Sequence, residues 1–208
     1  MIQAFKIKHP GWLGIGSEII SWLFSPPLVG TVFFVFLIFW YSTDLLQGFK
    51  WMIAISPFLI FIPLAYFALS VKLGWITDID LSNRKERPAF LLVFTISLAL
   101  AAIVLYFLNV PNKFLVYVLS GLAVTILDSV ITLFWKISFH TAITASVIAA
   151  INILGGFRFW PMFLLLVPIA VARIILKKHT LWQVIGGAVV SFIVTALVFI
   201  AFGYPIYF

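Results

Sequence analysis

The sequence predicts an all-α integral membrane protein, and its composition, hydropathy and apolar stretch length support this class. Of its 208 residues, 64% are hydrophobic and only 9% are charged, whereas a soluble domain is about half apolar and about a quarter charged. The mean hydropathy is +1.24, and the apolar stretches run for about 20 residues, which is enough to cross a bilayer as a helix. Each stretch is predicted to be helical because a segment in lipid must satisfy its own backbone hydrogen bonds.

The first element, residues 10–26, is predicted to be an interfacial or re-entrant helix. It is apolar along one side, carries the polar residues Ser17, Glu18 and Ser21, and ends at a Pro-Pro pair. A helix with one apolar side of this kind lies in the membrane interface.

A bundle of about six to seven transmembrane helices is predicted to follow, within a single domain that covers residues 1–208. The aromatic share of 18% suits lipid-facing surfaces and interfacial belts. One long polar connection, residues 73–89, interrupts the apolar pattern. The predicted spans are 28–47, 52–72, 90–109, 113–135, 139–155, 159–176 and 179–203.

Charge and cysteine content narrow the classes of function. The chain has no cysteine, which excludes disulfides, thiol catalysis and thiolate metal sites. Its net charge of +7 is typical of a protein that is oriented by its basic loops or that binds anionic lipid headgroups. Membrane lipids are therefore expected partners. Nucleic acid is not expected, since no basic helix or aromatic platform stands apart from the membrane pattern. The oligomeric state is left open.

Three polar clusters lie at the ends of predicted spans. The first is Arg-Lys-Glu-Arg-Pro at residues 84–88, the second is Ser-Phe-His at residues 138–140, and the third runs from Arg173 to His179. Two predicted spans separate each cluster from the next, so all three are expected on the same side of the membrane. This placement indicates one shared site.

These residue types suit phosphoryl chemistry. A neutral histidine can attack phosphorus, and a second histidine can protonate the leaving oxygen. Arginines can hold the phosphoryl oxygens and offset the charge of the transition state. Because the rest of the chain is predicted to be helix in lipid, the expected substrate is a phosphorylated lipid.

The three clusters resemble the motifs of the type 2 phosphatidic acid phosphatase superfamily, over about residues 70–200. Its usual pattern is Lys-x6-Arg-Pro, then Pro-Ser-Gly-His, then Ser-Arg-x5-His-x3-Asp. The resemblance implies that His179 is the nucleophile and that Arg173 binds phosphate. It also implies that Ser138 binds phosphate and that His140 is the general acid. No metal and no other cofactor is implied.

The third cluster departs from the family pattern at its aspartate. Gln183 stands at that position and is expected to orient His179 and fix its tautomer without supplying charge. Ala172 replaces the family serine, which is a smaller change.

The second cluster has Ile137 for the family proline and Phe139 for the glycine, and the first cluster departs at its lysine. That position falls on Asp80, which has the opposite charge and is not expected to bind phosphate. Arg84 or Lys85 is expected to supply the missing cation beside Arg87. Of the two, Arg84 is favoured as a bidentate phosphate ligand.

Each cluster also has a purely structural interpretation. Arg173, Lys177, Lys178 and His179 could be basic side chains that snorkel from a span end. The histidine of the second cluster could cap a helix, and the basic loop of the first could merely set orientation. Asp128, an acid inside the predicted span 113–135, is a functional candidate that is more simply explained by a polar partner on another helix.

The sequence therefore predicts metal-independent hydrolysis of a lipid phosphate or polyprenyl diphosphate through a phosphohistidine. The alternatives are a lipid phosphotransferase of the same superfamily and a catalytically degenerate protein that binds or transports phospholipid. Lys6 and Lys8 favour a cytoplasmic N-terminus and, after two spans, a cytoplasmic site in a multi-pass protein of the cell membrane. If residues 10–26 also span, the site faces outward.

Overall fold

The computed structural model describes residues 11–204, which form helices and no strands. Lys6 and Lys8, on which the predicted sidedness rests, lie outside the described residues. The α-helices of the described part are α1 (Trp12–Leu23), α2 (Pro26–Tyr41), α3 (Leu45–Ser56), α4 (Ile62–Lys72), α5 (Arg87–Phe107), α6 (Asn112–Phe134), α7 (Phe139–Gly155), α8 (Leu166–Ile175) and α9 (Leu181–Ala201).

The apolar helices are those of a helical membrane protein, but the predicted count of six to seven spans is not confirmed. Four helical segments of the described part are long and apolar enough to cross a bilayer. They are Leu45–Lys72, in which a π-helical turn at Pro57–Phe61 joins α3 to α4, Arg84–Phe107, α6 and α9. The count rises to five if α1 and α2, which meet at a bend of 41°, form one broken span. The helices Phe139–Gly155 and Trp160–Ile175 are shorter.

The boundary between the first two predicted spans is wrong. Helix α2 ends at Tyr41 and α3 begins at Leu45, so residues 45–47 belong to the second helix instead of the first. Asp44 caps α3 by accepting a 2.8 Å hydrogen bond from the backbone N–H of Gln47. A cap of this kind satisfies one of the donors left open at a helix N-terminus and favours a break there.

The centre of the bundle is a close pair, α7 and α9, with α6 beside both and α5 against α6. Gly187 on α9 permits this approach, since a Cβ there would stand 2.5 Å from the carbonyl oxygen of Ser138. The apolar core lies between α2, α3, α5, α6, α7 and α9 and includes fully buried Ile55, Leu105 and Phe114. It leaves the polar residues of the three clusters at the opposite ends of α6, α7 and α9.

Helix α1 packs along α8. It buries Ser17 and Ser21 on the packed side and exposes Trp12 and Trp22 on the other. An exposed apolar stripe suits contact with lipid. The packing brings the last turn of α1 to the end of the bundle that holds the clusters.

Candidate functional site

The turn between α8 and α9 explains why six positions separate Arg173 from His179. Helix α8 ends in a Schellman motif: Lys177 is left-handed (φ +54°), and the N–H groups of Lys178 and His179 donate to the Arg173 carbonyl at 3.0 and 3.2 Å. The chain turns back on the last carbonyls of α8 before α9 begins. The Arg173 backbone and His179 are thereby held within hydrogen-bonding distance.

Gln183 fixes the tautomer of His179. The Gln183 side-chain oxygen lies 3.1 Å from Nδ1 of His179 and also accepts from the backbone N–H of Thr180 at 3.2 Å. A backbone N–H can only donate, so this atom is the amide oxygen, and Nδ1 must carry the proton that it accepts. The lone pair of His179 is therefore on Nε2. The predicted orienting role of Gln183 requires a contact of this kind.

His179 is neutral at physiological pH. Burial and the nearby charges of Arg173 and Lys136 lower its pKa to about 3, and the hydrogen bond to Gln183 offsets this only in part. A neutral imidazole keeps its lone pair for attack on an electrophile.

Ser138 joins the second cluster to the third. It precedes α7, and its N–H donates to the backbone carbonyl of Gln183 at 3.2 Å. Its hydroxyl is fully buried and has no hydrogen-bond partner among the described residues. A buried, unpartnered hydroxyl at the start of a 17-residue helix is well placed to donate to an anion.

His140 and Arg173 meet at Ser21, a residue that the sequence did not assign to the site. Nε2 of His140 lies 3.2 Å from the Ser21 carbonyl, so this nitrogen donates to it. The carbonyl belongs to the last turn of α1 and has no helical partner. The Ser21 hydroxyl accepts from Nη1 of Arg173 and lies 3.4 Å from Nε2 of His140.

Arg173 is buried, and its Nε donor is unused. It is 1% exposed, and its Nη1 also donates to Asp80 at 3.1 Å. Its Nε has no hydrogen-bond partner among the described residues. Buried guanidinium nitrogens without partners are unusual, and an incoming oxyanion would satisfy this one.

The arginines of the first cluster donate to backbone carbonyls. Arg84 donates to the carbonyl of Leu133 at 2.7 Å and so caps the end of α6. Arg87 donates to the carbonyls of Leu81 and Ile137, both at 2.8 Å.

The ring of Phe139, which stands at the family glycine position, lies 4.5 Å from the Arg87 guanidinium carbon. Arg87 is thus enclosed by groups that hold it in place. Lys85 is exposed on the short helical turn before α5. The arginines of the first cluster therefore contribute to the site mainly by holding the backbone around it in place.

Asp80, predicted not to bind phosphate, lies among the cations of the site. Its two oxygens lie 3.1 Å from Arg173 Nη1 and 3.1 Å from Lys178 Nζ. Burial raises the pKa of Asp80, but the charges of Arg173 and Lys178 outweigh it and lower the value to about 2. Asp80 is therefore ionised at neutral pH.

Two lysines, Lys136 and Lys178, lie beside His179 at the pocket described below. Lys178 donates to the Ser82 hydroxyl at 2.7 Å, and Lys136 donates to the Lys178 carbonyl at 2.7 Å. Burial, followed by the charges of Arg87 and Arg173, lowers the pKa of Lys136. An open pocket of about 470 Å³ lies over His179 and Gln183, with Lys136 and Lys178 at its edge.

Sequence reasoning missed Ser21, Lys136 and the role of Asp80. No local signal marks Ser21, since it enters the site only through the packing of α1 on α8. Lys136 was visible as a basic residue two positions before Ser138. In the described part of the chain, no group of three or more His, Cys, Asp or Glu side chains is arranged to hold a metal ion.

A scan of protein-family models, a search of curated proteins and a search of solved structures each find no match to this chain.

Proposed function

We propose that this protein hydrolyses a phosphorylated lipid through a phosphohistidine on His179, without a metal ion. The observation that carries the proposal is the state of His179: it is neutral, its Nδ1–H is held by Gln183, and its Nε2 lone pair is unprotonated beside a pocket edged by lysines.

The proposed first step is an in-line displacement. Nε2 of His179 forms a bond to phosphorus while the bond from phosphorus to the lipid oxygen breaks. Gln183 stabilises the resulting positive imidazole only by its amide dipole, so we expect the step to be slower than with a carboxylate at this position. A phosphoryl dianion beside His140 favours its imidazolium form, which gives a proton to the departing oxygen.

The second step regenerates the enzyme. Water attacks the phosphohistidine, His140 accepts the proton from that water, and the bond from phosphorus to Nε2 breaks to release phosphate. Arg173 and Ser138 are proposed to hold the phosphoryl oxygens in both steps. Nε of Arg173 and Oγ of Ser138 support this role, because both are buried donors with no acceptor among the described residues.

A second candidate is a protein that binds phospholipid without hydrolysis. It is favoured by Asp80, whose carboxylate already pairs with Arg173, and by the lack of charge at Gln183. Both features weaken a phosphatase more than a binding protein. The cell membrane, a cytoplasmic site and phosphorylated lipid as the partner remain parts of the proposal.

The test is phosphate release by detergent-purified protein in excess EDTA. Phosphatidate, phosphatidylglycerophosphate and a polyprenyl diphosphate form the substrate panel, and His179→Asn and His179→Ala are the matched variants. We expect release from at least one lipid that survives chelation and disappears in both variants. Release that persists in folded His179 variants would contradict the mechanism. Lipid binding without release in the wild type would favour the second candidate.

A further inference from the structure

Asp80 is a fixed negative charge inside the cationic site. It bridges Arg173 and Lys178, one oxygen to each, at 3.1 Å. Its side chain is 28% exposed, so one side remains open toward solvent. Any anion that reaches Arg173 must therefore bind beside a carboxylate.

The loop that carries Asp80 is held at several points. Asp78 Oδ1 accepts hydrogen bonds from the N–H groups of Asp80 and Ser82 at 2.9 and 3.2 Å. The carbonyl of Leu81, a residue in the left-handed conformation (φ +49°), accepts from buried Arg87. Movement of Asp80 away from Arg173 would disturb this set of bonds. Asp80 is therefore expected to stay in place when an anion binds.

We propose that Asp80 is a specificity-determining residue that directs the site to lipid phosphomonoesters and against diphosphates. This inference rests on the proposed binding of a phosphorylated lipid at the same site. A monoester carries close to two negative charges near neutral pH, and a diphosphate ester carries one more. The added charge would lie near Asp80, and like charges brought together at a binding site oppose binding strongly.

The donor arrangement points the same way. Arg173 has already given Nη1 to Ser21 and Asp80, and its Nε has no partner among the described residues. Lys178 is likewise shared with Asp80 and Ser82. The cations that would offset the extra charge of a diphosphate are thus partly neutralised. In the proposed site, Nε of Arg173 and the Ser138 hydroxyl, which have no partners among the described residues, are the donors for one phosphoryl group.

The experiment compares wild type with Asp80→Asn, which keeps the shape and removes the charge, and with Asp80→Ala as a second variant. The dissociation constants of inorganic phosphate and pyrophosphate are measured by calorimetry in detergent. The kcat/KM values for phosphatidate and a polyprenyl diphosphate are measured in parallel. Asp44→Asn is the control, because Asp44 is an exposed carboxylate whose hydrogen bonds run to Thr43 and Gln47.

We expect wild type to favour the monophosphate ligand, and both Asp80 variants to shift the ratio toward the diphosphate by about tenfold or more. Asp44→Asn should leave the ratio unchanged. An equal gain for both ligands would mean that Asp80 is only a competitor that substrate displaces, and would overturn the proposal. An unchanged ratio in folded Asp80 variants would also overturn it.

The dissociation constants test the role of Asp80 independently of the proposed catalysis. A shifted binding ratio without hydrolysis would uphold the role of Asp80 and reject the enzyme. Hydrolysis with an unshifted ratio would uphold the enzyme and reject the role of Asp80.

Discussion

Two arginine-bearing segments of this protein, residues 84–88 and 173–183, use the same side chain in opposite ways. In the segment of residues 84–88, Arg84 and Arg87 donate to backbone carbonyls at helix ends and in loops. In the segment of residues 173–183, Arg173 points its donors at side chains, and its Nε has no partner among the described residues. A motif match alone does not distinguish these two uses.

The physical reason for the difference is the supply of acceptors. The carbonyls of the last turn of a helix lack partners within that helix, and few other donors are available at a membrane boundary. Arg84 lies at the end of α6 and donates to one of these carbonyls, that of Leu133. At the end of α8 the Schellman turn already supplies backbone N–H groups to the carbonyl of Arg173. The guanidinium of Arg173 therefore remains available for other ligands.

The largest expected effect is the loss of catalysis when Arg173 is replaced. Arg173→Gln should lower kcat/KM for the lipid substrate by about 100- to 1,000-fold, because it removes a donor that faces developing negative charge. Arg84→Gln is the matched change in the other segment and should leave kcat/KM within a few-fold. Steady-state kinetics in detergent measure both. Equal losses in the two variants would remove the distinction between the segments.

Arg87 should matter most for stability. Arg87→Lys removes at least one of two hydrogen bonds from a charged donor to the carbonyls of Leu81 and Ile137. The expected loss in the free energy of unfolding is about 2–3 kcal/mol. Denaturant unfolding followed by tryptophan fluorescence measures it. A variant as stable as wild type would show that the two carbonyls find other donors.

Gln183→Glu should raise both turnover and the basicity of His179. The carboxylate adds a charge-assisted hydrogen bond to Nδ1, so we expect about a tenfold gain in kcat. It should also raise the pKa of His179 from about 3 toward its ordinary value. Histidine NMR shifts against pH report the second effect. Gln183→Leu, which has no acceptor, is the opposite control and should lose activity.

The smallest expected effect is at Lys177. This residue is left-handed with φ +54° at the position where helices usually place glycine. Lys177→Gly should stabilise the protein by about 1 kcal/mol or less, since relief of steric strain is partly offset by the greater freedom of unfolded glycine. A thermal melt in detergent is sufficient to detect it. Destabilisation would indicate that the lysine side chain contributes more than its backbone strain costs.

Local patterns predicted the helices well where their ends carry clear signals. Helix α7 covers the predicted residues 139–155, because an apolar run is bounded by Ser138 and by left-handed Gly156. The Thr-Asp-x-x-Gln pattern at residues 43–47 marks the start of α3, although it lies inside an apolar run. The predicted span count is not confirmed, because the helices Phe139–Gly155 and Trp160–Ile175 are apolar but shorter than the others.

The site was predictable only where its partners are close in sequence. His179 and Gln183, whose side chains lie 3.1 Å apart, are only four positions apart in the sequence. The contact of Ser21 with Arg173 joins residues 152 positions apart, and that of Asp80 with Arg173 joins residues 93 apart. Such contacts depend on how α1 packs on α8 and how the loop before α5 folds back. No local pattern encodes either arrangement.

The most direct test of the central claim is to trap the covalent intermediate. Protein mixed with lipid substrate labelled in the phosphoryl group is quenched in alkali within milliseconds, and the peptide that contains His179 is analysed by mass spectrometry. The account predicts a phosphoramidate on Nε2 of His179 that is stable in base, labile in acid and absent in His179→Asn. Turnover with no phosphohistidine on this peptide, or label on His140 in its place, would contradict the account.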